Sequence, residues 1–101
     1  MKKRKIRLGG PPEGHLREAS HNLRLIEEHQ ERQAREPACE QQYRHLLAAK
    51  QLIGEASVHI EQVVDARLQT SEVRSARFRL RDAVKRQVQR SVEFRDHCMR
   101  R

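Results

Sequence analysis

Residues 46–64 read LLAAKQLIGEASVHIEQVV. Leu46, Ala49, Ile53, Ala56, Ile60 and Val63 fall there in alternating steps of three and four, the spacing of one helical face. Leu47, Leu52 and Val64 flank the stripe and broaden it. A helix that is apolar on more than one side has to be covered by other helices, so this segment predicts the centre of an all-α fold. Gly54 and Ser57, small residues beside the stripe, leave room for a neighbouring backbone.

Composition points the same way. The chain has 101 residues, enough for one domain with a thin core. Its aromatic residues are Tyr43, Phe78 and Phe94, and Ala, Leu, Glu, Gln and Arg dominate, which is how helical chains are written. Upstream, Gly9, Gly10, Pro11 and Pro12 mark a boundary, so residues 1–11 read as a flexible basic arm and residues 12–101 as a single helical domain. The first helix is expected from near Pro12 to near Arg35, before Pro37, with Leu16, Ala19, Leu23 and Ile26 as a narrow stripe. Downstream, Thr70 or Ser71 caps a third helix that runs to about Met99 and carries Val73, Ala76, Leu80, Val84, Val88 and Ser91 on one face. No Gly or Pro follows Gly54, so one continuous rod for the second and third helices stays open as an alternative. The expected architecture is a three-helix antiparallel bundle. The first helix is too narrow to cover the second, so Leu46, Ile53, Ile60 and Val64 are expected to form the interface of a homo-oligomer with coiled-coil-like packing.

If the first two helices pack antiparallel about Pro37, level positions sum to about 74. His15 then faces His59, and His29 faces His45. Six histidines on helical positions give such matches often, and the pairing is read here as coincidence.

The charge is uneven. The net +8 is split between residues 1–8, with five basic groups and no acid, and residues 71–101, with ten basic against four acidic; the middle is acidic on balance. Basic charge gathered on an arm and on one helix is the footprint of phosphate binding, because each Lys or Arg that neutralises a phosphate releases counterions. The candidate contacts are Lys2, Lys3, Arg4, Lys5 and Arg7 on the arm, with Arg74, Arg77, Arg79, Arg81, Lys85, Arg86 and Arg90 on the third helix. Three aromatics are few for reading single strands by stacking, so duplex DNA is the expected nucleic acid. The arm's KKRK also has the composition of a nuclear-import signal. The alternative function is a structural or interaction protein that meets protein partners through basic and apolar helix faces.

Several classes of activity find no motif. There is no glycine-rich phosphate loop and no nucleophile elbow, so no enzymatic activity and no cofactor are expected. No run of about 18 apolar residues and no secretory h-region is readable, which predicts a soluble cytoplasmic protein without a membrane partner. Cys39 and Cys98 are too few for a disulfide framework and fit a reducing compartment. An up-down-up bundle would nevertheless bring His29, Cys39, His97 and Cys98 to one pole. These are the ligand types zinc prefers, but their spacing matches no compact motif; no metal is assigned, and a disulfide or two free thiols stand as alternatives. Glu18 and His21 form an E-x-x-H pair, whereas Glu55 and His59 are spaced by four, not the three a matching di-metal half-site needs.

Two resemblances add to this reading. From Cys39 to about Ile60 the chain resembles the second helix of the copper-sensing and formaldehyde-sensing helical repressors, with Cys39, Leu46, Ala48, Lys50 and Gly54 at the matching positions. That implies a small basic tetramer that binds DNA. Val64 and Leu68 stand where the family has its later ligands, so metal sensing is not implied. Over more of the chain, Arg7-Leu8-Gly9, His15, Ala19, Cys39 and Gly54-x-Ala56-x-x-His59 resemble short basic helical proteins of tailed-phage genomes. This implies a virion or phage-accessory setting, with other phage proteins as partners, and carries over no site residue.

Overall fold

The computed structural model describes residues 10–99, which form three helices: α1 (Pro12–Arg35), α2 (Cys39–Asp65) and α3 (Ser71–Phe94), the last continued by one π-helical turn (Arg95–Met99). The arm residues Lys2, Lys3, Arg4, Lys5 and Arg7 lie outside the described residues. Gly10 takes a left-handed φ of 85°, and Pro12 then opens α1 at a position where a missing N–H costs nothing. Pro37 stops α1 and leaves a three-residue link. Across it the Gln42 side-chain amide donates to the Glu36 carbonyl at 2.7 Å, fixing the hairpin.

α2 and α3 are separate helices. The break needs no glycine because Arg67 itself adopts φ 60°. Leu68 N–H donates to the Val63 carbonyl at 3.3 Å and Arg67 N–H to Val64 at 2.9 Å, the paired bonds of a Schellman turn. Leu68 then occupies the position from which an apolar side chain packs back on Val63. Thr70 starts α3, its hydroxyl accepting from Val73 N–H at 3.3 Å. A non-glycine residue in the left-handed region costs about 1 kcal/mol. Arg67→Gly is therefore expected to raise stability by about 0.5–1 kcal/mol, read as a higher urea midpoint at unchanged slope.

The core is thin and alanine-rich. Ala19, Leu23 and Ile26 of α1 meet Ala49, Leu52, Ala56 and Ile60 of α2, and Ala76 and Ala83 of α3 close the third side, with Leu16, Leu25, Ile53, Val64 and Leu80 packed around them. Leu46, Val63 and Val73 are also buried. Small side chains at the crossings bring the backbones close enough for glutamines to bridge them. Gln30 on α1 donates to the Ala83 carbonyl at 2.8 Å, and Gln87 on α3 donates to the Leu46 carbonyl at 2.9 Å.

Two sequence expectations change here. Beyond Leu80, the inward face of α3 runs through Ala83 and Gln87, while Val84 and Val88 are exposed. The glutamine bridge accounts for the turn of face, because Gln87 occupies the inward position and its amide is paired there with an α2 carbonyl. The proposed oligomer residues are also needed within one chain: Leu46 and Ile60 are each only 7% exposed, and Ile53 and Val64 pack on the core. Three helices cover α2 more fully than the narrow stripe of α1 alone suggests.

Candidate nucleic-acid interface

α3 is written as two opposed faces. Val73, Ala76, Leu80, Ala83 and Gln87 turn inward, so Arg74, Phe78, Arg81 and Lys85, spaced by three or four residues, line up on the opposite side, with Arg77 at its border. All five are exposed, and Phe78 keeps 70% of its surface in contact with solvent. From Arg74 to Lys85 is three turns of helix, about 16 Å at 1.5 Å per residue. Among the described residues, Arg74, Arg77, Arg81 and Lys85 make no ion pair, so their full charge faces outward.

The other three basic candidates on α3 are engaged. Arg79 reaches across to α1 and grips Glu27 with two nitrogens, at 2.7 and 3.1 Å. Hydrogen bonding to that carboxylate pushes the guanidinium further toward its charged form, against the opposing effect of burial. Arg86 pairs with Asp82 at 2.8 Å and Arg90 with Glu93 at 3.3 Å, both along α3 itself. Sequence reasoning grouped all seven because it counts charge without knowing which face turns inward. Arg79 belongs to the bundle as the α1–α3 tie, and Arg86 and Arg90 reach solvent already paired.

No family model, curated protein or solved structure matches this chain.

The candidate metal pole is organised by sulfur. Cys39, the first residue of α2, and Cys98, in the π-turn after α3, form a disulfide with their Cα atoms 5.8 Å apart. One turn inward, Tyr43 and Phe94 stack at 5.8 Å between ring centres. The pole does come together as the up-down-up topology predicts, but as a cross-link between α2 and α3, so neither sulfur is a thiolate ligand. His97 is exposed, and His29 is directed elsewhere. Among the described residues no group of three or more His, Cys, Asp or Glu side chains could hold a metal. Of the alternatives left open for the two cysteines, the structure shows the disulfide, which depends on where two helix ends land.

The histidine register is real. His15 and His59 meet Nδ1 to Nδ1 at 2.8 Å, and His29 and His45 at 3.0 Å, each pair spanning α1 and α2. Coincidence is thereby replaced by a shared pivot, since both pairs obey the same antiparallel register about Pro37. The E-x-x-H pair of α1 is on the outside, with Glu18 and His21 both exposed, while His59 is buried.

Apolar surface also remains outside the core. Tyr43 and Leu47 on α2, with Val84, Val88 and Val92 on α3, are exposed. Among the described residues no helix is long and apolar enough to cross a membrane.

Proposed function

We propose that this chain is a non-enzymatic nucleic-acid-associated protein that holds the phosphate backbone of duplex DNA. The observation that carries the reading is the line of Arg74, Arg77, Arg81 and Lys85, four exposed cations without ion-pair partners among the described residues, along about 16 Å of one helix. With phosphates every 3.4 Å along each strand, that length spans about five of them. The arm residues Lys2, Lys3, Arg4, Lys5 and Arg7 add five cations that extend the contact. Backbone neutralisation supplies affinity and little sequence selectivity, so scrambling the DNA sequence should change binding little.

A second reading follows from Tyr43, Leu47, Val84, Val88 and Val92. These exposed apolar side chains continue from the cationic line toward the disulfide pole and would anchor a protein partner, as in a phage-particle component. Self-association, on either reading, would use these residues, because Leu46 and Ile60 are buried in the chain's own core.

Fluorescence anisotropy of labelled duplex DNA at low and near-physiological salt separates the two. Tight binding that falls steeply as salt rises is the expected result. No binding even at low salt would overturn the phosphate reading and leave the apolar anchors as the docking surface.

A further inference from the structure

α1 is tied to α2 at two levels by histidine. His15 and His29 are 14 residues apart on α1, as are His45 and His59 on α2. That spacing is about four turns, so each helix presents both of its histidines on the same face. In the first pair the ring centres are 5.1 Å apart for a nitrogen contact of 2.8 Å; in the second they are 5.3 Å apart for 3.0 Å. These centre separations are nearly as long as the nitrogen contacts permit, so the rings meet end to end. That is the geometry of a linear N–H···N hydrogen bond. Among the described residues neither pair belongs to a group of three or more His, Cys, Asp or Glu side chains that could hold a metal.

We propose that the two pairs are an acid-sensitive latch that releases α1 from α2 when both rings of a pair become protonated. One Nδ1 donates and the other accepts, so the bond needs one bare nitrogen. A first added proton leaves a donor and an acceptor and gives a charge-assisted bond. A second proton puts a hydrogen on both facing nitrogens and two positive charges in contact, and the bond becomes a repulsion. The doubly protonated pair is therefore disfavoured for as long as the two rings stay in contact.

Burial sets the balance at each pair. His59 is held below the ordinary 6.5 by burial first and then by His15, against Glu18 from α1 and Glu55 from α2, whose carboxylates favour protonation. His29 is held below 6.5 by burial first, then by His45 and by Arg32 one turn along α1, against Glu28. From α3, Arg79 is tied to Glu27 on α1, and Glu72 lines a surface cleft with Leu16, Arg17 and His21 of α1. A base whose pKa is depressed by folding contributes stability that is intact above 6.5 and is lost as the pH falls from there through the folded value. α1 is the helix that can leave, because the Cys39–Cys98 disulfide keeps α2 and α3 joined.

The test follows amide hydrogen exchange of the full chain, corrected for intrinsic rates, at pH 8 and pH 5, beside urea unfolding at the same two values. The expected result is that α1 exchanges at least about tenfold faster at pH 5 while α2 and α3 stay protected, and that the urea midpoint falls. His29→Gln/His45→Gln and His15→Gln/His59→Gln should each shrink that fall. The first of these targets the less buried pair, so it tests the latch even where the second does not fold. An equal fall in the parent and in the folded variants would overturn the proposal, as would loss of protection in all three helices together. NMR titration of the parent provides a readout independent of any variant: two separated steps within a pair support the latch, and four rings titrating singly near 6.5 exclude it.

Discussion

Reducing the Cys39–Cys98 bond is expected to lower the stability of the protein by about 4 kcal/mol on the chain-entropy model, because the cross-link joins residues 59 apart and removes that much loop-closure freedom from the unfolded chain. A domain of this size has a total of about 5–15 kcal/mol, so the loss is a large share of the whole. The core gives little in reserve, since much of it is alanine. At roughly 4–8 °C per kcal/mol the melting temperature should fall by about 15–30 °C, measured by circular dichroism with and without reductant. Cys98→Ser should reproduce the reduced protein and be indifferent to reductant. A shift of only a few degrees would show that the unfolded chain retains structure that keeps these two helix ends together without the bond.

Much of the bundle can be read from residue spacing. Pro12 and Pro37 bracket α1, and the Leu46–Val63 pattern selects the inward face of α2, because prolines and apolar periodicity act locally. The antiparallel pivot about Pro37 also sets the histidine levels. The break between α2 and α3 is harder to find, since Arg67 adopts a backbone conformation that usually signals glycine. The face of α3 is misread for a related reason. Val84 and Val88 look more core-like than Ala83 and Gln87, but close packing favours the alanine, and the glutamine reaches an α2 carbonyl as a hydrogen-bond donor. Ala83 and Gln87 do continue the three-four stepping from Val73, Ala76 and Leu80, a signal that periodicity alone contains and hydrophobicity overrides. The Arg79–Glu27 tie leaves no local trace, since its partners are 52 residues apart.

Replacing Arg74, Arg77, Arg81 and Lys85 together with glutamine is expected to cut the slope of log affinity against log salt by about 3.6, from four lost phosphate contacts at 0.9 each. At a reference of about 0.1 M salt, a slope difference of that size corresponds to a loss of about a thousandfold in affinity or more. The replacement should leave the fold intact, because all four side chains are exposed and none is in an ion pair among the described residues. The control is Arg79→Gln, whose guanidinium is engaged by Glu27 on α1. That change should lower the unfolding midpoint while leaving the salt slope at the parent value, whereas loss of a phosphate contact would cut it by about 0.9. Opposite outcomes would reassign the surface: if Arg79→Gln reduced binding while the quadruple variant did not, the contact would lie along the α1–α3 cleft. If neither variant changed the slope, the cations that matter would be those of residues 2–7, and α3 would serve to carry the apolar anchors Val84, Val88 and Val92.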